Sequence, residues 1–160
     1  MLKFINCIIY LIVIGIVSFI IGRIIPKKSL HWDRAPWRDF SFEKKGLLYE
    51  KLQISKWQSK MPDMSRLFFM IMPKKKLPSI PTINNIQVML QETCMAELIH
   101  WLLAVFSFGC IFFWPGIGGL IISFVAFTGN MIFVIIQRYN RPRLVQLRQL
   151  LELREERRNK

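Results

Sequence analysis

The stretch WLLAVFSFGCIFFWPGIGGLIISFVAFTGNMIFVII, from Trp101 to Ile136, contains no charged side chain. Its middle, PGIGG, combines proline with glycines, a pattern that ends a helix and reverses the chain. The four residues before Trp101 extend the first half, and each half is then long enough to cross the hydrocarbon core of a bilayer. We therefore predict two membrane-spanning helices, over residues 97–114 and 117–136, joined by a short hairpin turn.

A further apolar run near the N-terminus, residues 4–25, is long enough to form another span. A cleaved signal peptide is the alternative interpretation. Such a peptide has a shorter apolar centre and a small-x-small cleavage site, whereas this run ends on Arg23-Ile24-Ile25-Pro26. We predict a retained transmembrane helix.

The remaining segments are basic. The whole chain has 160 residues and is 52% hydrophobic, yet it carries 23 Lys and Arg against 10 Asp and Glu. Residues 26–86 mix cations with aromatic rings, which favours the lipid headgroup layer over nucleic acid once apolar spans flank the segment. Within it we predict an amphipathic helix near residues 47–57, a shallow dip at Arg66–Met72 and an extended proline-rich turn over residues 73–81. A helix capped by Asn84 or Asn85 then begins near Ile86.

After the hairpin, residues 138–160 leave the membrane, and an amphipathic helix follows Pro142. The predicted fold is a single all-α membrane domain, residues 1–160, with about three transmembrane helices, a basic interfacial middle segment and this C-terminal helix. The middle segment holds thirteen Lys and Arg and the tail holds eight, whereas the N-terminus has only Lys3. Because positive charge favours the cytoplasm, we expect a cell-membrane protein with its N-terminus outside and its C-terminus cytoplasmic.

Ionisable side chains interrupt the second span. Glu97 and His100 are three residues apart and share a helical face, and each costs about 2.5–3.5 kcal/mol to insert into a membrane. If the hairpin folds back on itself at Pro115 and Gly116, residue n faces about residue 231 minus n. His100 then lies beside Asn130, Glu97 opposite Val134, and Glu92 opposite Tyr139 and near Arg138. These residues predict one polar site just inside the cytoplasmic interface.

Structural explanations for the same residues stay open. Glu92 can form an interfacial ion pair with Arg138 or Arg141, Asn130 can join two helices by a hydrogen bond, and His100 can anchor the interface. A Glu-x-x-His motif also supplies ligands in di-iron bundles, but those need a second such motif and more carboxylates. We predict no metal site and no disulfide framework from the three cysteines.

Three segments resemble a known family. The stretches AELIHW (96–101), QRYNRPRL (137–144) and FSFEKKGLLYEKLQISKWQSKMPD (40–63) are similar in sequence and order to the glycosyl-4,4'-diaponeurosporenoate acyltransferases, which complete staphyloxanthin-type carotenoids in Gram-positive bacteria. The likeness weakens from Met64 to Thr82. It implies transfer of a fatty acyl group from an activated donor to a sugar hydroxyl on a membrane lipid.

The residues themselves suggest roles in such a transfer. We expect His100 to act as general base, Glu97 to orient it, and Asn130 to donate a hydrogen bond to the oxyanion. Arg138 and Arg141 are expected to hold phosphates of an acyl-CoA-type donor, a co-substrate rather than a cofactor. The expected substrate-binding set lies around them: Glu92, Gln137, Arg138, Tyr139, Asn140 and Arg141.

Two other functions compete with this one. The first is a non-enzymatic membrane adaptor that docks anionic lipid or a partner protein, and it predicts that Glu97 and His100 are dispensable. The second is an acyltransferase or hydrolase for another lipid acceptor. The sequence leaves the acceptor, the acyl chain and any homo-oligomer or pathway-enzyme complex undetermined. It favours a membrane lipid substrate and an acyl donor, and it argues against nucleic acid.

Overall fold

The protein is represented by a computed structural model that describes residues 1–58 and 81–159, without the side chains of Phe42, Lys44 and Lys45. Within these ranges the chain is helical and has no strand. The dip predicted at Arg66–Met72 and nearly all of the predicted proline-rich turn lie outside the described residues.

Three helices are long and apolar enough to cross a membrane. Helix α1 spans Leu2–Ile24, and a short 3-10 turn at Lys27–Ser29 follows it. The two others form the predicted hairpin, and all three present large apolar side chains on the outside, including Ile12 and Ile16 of α1 and Phe124 and Val125 on the third. So much exposed apolar surface is unfavourable in water and matches lipid. The protein is an all-α membrane protein.

The middle segment forms short elements instead of the single amphipathic helix that we predicted. A 3-10 helix at Ser41–Gly46 leads into α2, Leu47–Lys51, and then α3, Ile54–Trp57. The helix is divided because Gln53 has a positive φ of 51°. Gly46 is the N-cap of α2 and has a φ of 95°, a backbone conformation that favours glycine.

The second span is longer than its apolar core. Helix α4, Ile83–Phe106, continues through a 3-10 turn at Ser107–Gly109 into α5, Cys110–Phe113. It begins at Ile83 because the Thr82 hydroxyl accepts the backbone N–H of Asn85 at 3.2 Å. The predicted asparagine cap near Ile86 is therefore wrong by about one turn.

The third span and the tail are one helix, α6, Ile117–Arg158. Its 42 residues extend about 63 Å, twice the thickness of a hydrocarbon core. We expected a separate tail helix after Pro142, but Pro142 lies inside α6. The ring is buried and faces Gly46, where an added Cβ would lie 3.7 Å from Pro142 Cγ. Proline has no backbone N–H and cannot make the hydrogen bond usual at a helix interior position. At this position its ring packs against the middle segment instead.

Hydroxyl groups join the helices near the hairpin turn. Ser107 donates to the carbonyl of Ser123 at 3.2 Å, and Ser123 donates back at 3.0 Å. From α1, the Tyr10 hydroxyl donates to the Phe106 carbonyl at 2.8 Å. The numbers of the paired serines add to 230, which agrees within one residue with the hairpin register predicted from the sequence.

Candidate functional site

A buried ion-pair cluster joins the two arms of the hairpin. Glu97 on α4 accepts from Arg138 at 2.7 Å and from Arg141 at 2.6 Å, one oxygen for each guanidinium. The side chains of Glu97 and Arg141 are each 2% exposed, and that of Arg138 is 8% exposed. Charges so deeply buried need partners, and here each partner comes from the facing helix.

The middle segment completes the cluster. Glu43, whose side chain is 1% exposed, accepts from Arg138 Nε at 2.6 Å and from a terminal nitrogen at 2.8 Å, the bidentate geometry that suits a guanidinium. Tyr49 donates to the same carboxylate. The cluster therefore pairs two carboxylates with two guanidinium groups and fixes the 3-10 helix at Ser41–Gly46 to the hairpin.

Arg138 has no N–H left for another ligand. Its five N–H donors match five acceptors: three carboxylate oxygens of Glu43 and Glu97, and the backbone carbonyls of Pro36 at 3.4 Å and Arg38 at 3.3 Å. Its guanidinium also lies 4.4 Å from the centre of the Phe40 ring. In this conformation Arg138 holds protein groups together, which differs from the phosphate-binding role expected from the sequence.

Arg141 serves the same cluster. Beyond Glu97, it donates to the Thr93 hydroxyl at 3.1 Å and to the Trp37 carbonyl at 2.7 Å. Because Arg141 is 2% exposed, a donor phosphate has no open path to it in this conformation. The phosphate role that we expected for this residue is not supported by its surroundings.

The pKa values of two carboxyl groups of the middle segment, Glu43 and Asp39, are shifted in opposite directions. Burial by itself raises the pKa of Glu43, but hydrogen bonds from Arg138, Tyr49 and the backbone N–H of Phe40 outweigh burial, and the pKa is lowered. Burial and then the nearby Glu43 carboxylate raise the pKa of Asp39. Glu43 is therefore held as a carboxylate, whereas Asp39 takes up a proton more readily than usual.

A second polar contact lies one turn deeper towards the hairpin. The Nδ1 atom of His100 and the Oδ1 atom of Asn130 are 3.0 Å apart, and the imidazole stacks on Phe133 with ring centres 4.8 Å apart. This contact confirms the predicted approach of His100 and Asn130. Their residue numbers add to 230, as do those of the two paired serines.

The amide of Asn130 selects the tautomer of the histidine. Its Nδ2 donates to the Ala126 carbonyl at 2.9 Å, which directs Oδ1 towards the imidazole. An amide oxygen only accepts, so Nδ1 of a neutral His100 carries the proton and Nε2 carries the lone pair. Asn130 thus occupies the orienting position that we expected for Glu97, whose two oxygens face the arginines.

Glu92 does not pair with either arginine, so that prediction is wrong. It accepts from Lys27 at 2.8 Å, and the Lys27 side chain is 47% exposed. Of the other predicted residues, Tyr139 is buried against Tyr49 and Ile54. Gln137 and Asn140 are partly buried on α6.

Side-chain direction explains why the register shifts beyond Glu97. Side chains on a helix point back towards its N-terminus. In an antiparallel pair, Glu97 therefore points towards the C-terminal part of α6, and Arg138 and Arg141 point back to meet it. The arginines consequently lie one and two turns beyond Val134, the residue that a backbone register predicts.

Glu43 is a residue of the ion-pair cluster that the sequence analysis did not predict. It stands in the middle segment, 54 residues before Glu97, where an isolated Glu among lysines has the pattern of a solvated face. Only its place in the FEKKG motif of the family resemblance marked it. Among the described residues no group of three His, Cys, Asp or Glu is arranged to hold a metal ion.

Fold and site define the class of protein: a helical membrane protein with a charge-balanced cluster at one end of its hairpin and a histidine–asparagine pair one turn deeper. The family model for glycosyl-4,4'-diaponeurosporenoate acyltransferase matches residues 26–150. Proteins of that name from Staphylococcus aureus strains MRSA252 and USA300 are each 34% identical over 156 residues, covering 94% of this chain and 91% of theirs. The chain belongs to this family and is an acyltransferase. No solved structure matches it.

Proposed function

We propose that this acyltransferase moves a fatty acyl group from an activated, acyl-CoA-type donor to a sugar hydroxyl of a glycosylated carotenoid-type lipid. The acceptor is the one in the name of the relatives. The observation that carries the proposal is the His100–Asn130 pair, a polar contact between two apolar helices. A lipid within the bilayer has access to this depth, and a donor has access from the nearby polar end.

The proposed reaction begins with the acceptor hydroxyl. Nε2 of His100 removes its proton while the oxygen attacks the carbonyl carbon of the thioester. The tetrahedral intermediate collapses, the carbon–sulfur bond breaks, and the imidazolium returns the proton to the departing thiolate. Ester and free thiol are the products. The second amide hydrogen of Asn130 is the candidate donor to the oxyanion.

The ion-pair cluster has a positioning role in this proposal. Glu97 fixes α4 to α6 through Arg138 and Arg141, and His100 lies only three residues along α4, about 4.5 Å. A shift of one helix against the other would separate His100 from Asn130. Gln137 and Asn140, which are partly buried on α6, remain the candidates for contacting the polar end of a substrate.

We also propose that the cluster faces the cytoplasm. The basic middle segment and the tail lie at one end of the bundle, since Arg138 and Arg141 of α6 bind carbonyls of residues 36–38. That end carries most of the positive charge, which is retained on the cytoplasmic side.

The test is acyl transfer by purified protein in lipid nanodiscs, with a labelled acyl-CoA and a glycosylated carotenoid acid. We expect His100→Ala to lower kcat by about 10²–10⁴-fold and Asn130→Ala to lower it less. His31→Ala is the matched control, because His31 is the other histidine and is exposed in the middle segment.

The outcomes separate the competing functions. Wild-type turnover by a folded His100→Ala protein would remove the histidine from the mechanism. Transfer to other lipid hydroxyls but not to the sugar would favour a different acceptor. No transfer by the wild-type protein to any acceptor would favour the membrane adaptor.

A further inference from the structure

A polar pocket lies on another face of α6 from the ion-pair cluster. Its volume is about 200 Å³, and it lies between α6 and the start of α2. On the α6 side the pocket is lined by Tyr139, Arg143 and Gln146, whose spacing places them on one helical face. Gly46 and Glu50 line it from the middle segment.

The Tyr139 hydroxyl is an unsatisfied polar group. The residue is 1% exposed, and its hydroxyl has no hydrogen-bond partner in the part of the chain that the structure describes. Its ring packs against Tyr49, Ile54 and Ile135, which offer apolar surface. Buried hydroxyls are nearly always hydrogen-bonded, so this one indicates a bound group that the described part of the chain does not supply.

Arg143 provides a cation at the same place. Its guanidinium stacks over the Tyr139 ring at 4.0 Å, and its side chain is 49% exposed. Among the described residues the nearest carboxylate is that of Glu50, and its oxygen is 3.7 Å from the guanidinium, which is too long for a hydrogen bond. In contrast to Arg138, Arg143 therefore retains the N–H fork that matches a phosphate.

We propose that the pocket of Tyr139, Arg143 and Gln146 binds a phosphate group of the activated acyl donor, an inference that rests on the proposed function. Thirteen residues of α6 separate Asn130 from Arg143, about 20 Å along the helix. A phosphate at Arg143 lies outside the apolar core, and the thioester reaches His100 only on a long flexible arm. Carriers of the phosphopantetheine class have this construction.

Glu50 gives the proposal a sharp test. Its carboxylate is 56% exposed at the rim of the pocket and repels an anion. Glu50→Gln should therefore strengthen binding of a phosphate. The same substitution should weaken binding of a cation, or of a neutral polyol that uses the carboxylate as an acceptor.

The experiment measures coenzyme A binding by calorimetry, and the kinetics of acyl transfer, in nanodiscs of neutral lipid. We expect Arg143→Gln to raise the donor KM and the Kd of coenzyme A about tenfold or more, with the acceptor KM and the kcat at saturating donor unchanged. Tyr139→Phe should weaken donor binding without lowering the melting temperature, because it removes a hydroxyl that has no hydrogen-bond partner among the described residues. Arg154→Gln, an exposed cation further along α6, is the control.

Three outcomes would overturn the proposal. One is an Arg143→Gln effect no larger than that of Arg154→Gln. Another is an increase in the Kd of coenzyme A on Glu50→Gln. The last is an effect of Arg143→Gln confined to phosphatidylglycerol nanodiscs, with coenzyme A binding unaltered, which would assign the pocket to a lipid headgroup. Since coenzyme A binding needs no acceptor, its result stands even if the proposed acceptor is wrong.

Discussion

Replacing Glu97 by glutamine tests the ion-pair cluster most directly. Glutamine has nearly the same shape, but the change leaves Glu43 as the carboxylate partner of Arg138 and leaves Arg141 with no carboxylate partner among the described residues, so the cluster gains one uncompensated positive charge. Removal of one partner from a buried ion pair costs about 3–5 kcal/mol. At roughly 2–4 °C for each kcal/mol in a chain of this size, the melting temperature should fall by about 6–20 °C.

The assay uses the three cysteines of the chain. Cys7, Cys94 and Cys110 are all free and buried, so a thiol-reactive dye reports unfolding on heating in neutral detergent. Glu92→Gln is the matched control on the same helix. Its partner Lys27 is half exposed, and such a pair is worth about 0.2–1 kcal/mol.

A double-mutant cycle identifies the cause. Removing Arg141 as well, in Glu97→Gln/Arg141→Gln, restores the charge balance of the cluster. The coupling energy should be about 0.5–3 kcal/mol in the direction of partial recovery. If Glu97→Gln melts within a few degrees of Glu92→Gln, or if the cycle shows no coupling, the argument that this cluster holds the hairpin together is refuted.

Three further predictions follow from other parts of the structure. The pKa of Glu43 is lowered in the folded protein, so the Glu43 carboxylate stabilises the fold fully at a pH above its ordinary pKa of 4.5, and this stabilisation is lost as the pH falls through the pKa of the folded protein. The melting temperature should therefore drop in acid, and Glu43→Gln should reduce that drop. Gly119→Ala should destabilise the hairpin by about 1–3 kcal/mol, because the added Cβ would clash with a backbone carbonyl of the turn. Gly129→Ala is the control and should not destabilise it, because no neighbouring atom of the described residues lies within 4 Å of a Cβ there. Thermal unfolding of both variants tests this difference. A cysteine at Ile117, which is 77% exposed, should label from outside intact cells while a reporter after Lys160 stays cytoplasmic, and the reverse pattern would place the site on the outer face.

The apolar runs and the PGIGG turn determined the spans and the hairpin. Length and hydropathy suffice for this, because a spanning backbone must satisfy its hydrogen bonds within its own helix. The turn also set the register, so the approach of His100 to Asn130 followed from counting along two antiparallel helices. Local signals were less dependable at helix ends, where Thr82 replaced the predicted asparagine cap and α6 continued through Pro142.

Only the tertiary structure decided which charges pair. Glu97 lies opposite Val134 by register, yet its partners are Arg138 and Arg141, because long side chains reach along the helices by one turn or more. Glu43 joins them from the 3-10 helix at Ser41–Gly46, which precedes the apolar stripe of residues 47–57, so that stripe does not indicate which way Glu43 faces. Ion pairing between distant segments depends on how those segments pack, and that packing is not encoded in any local pattern of the sequence.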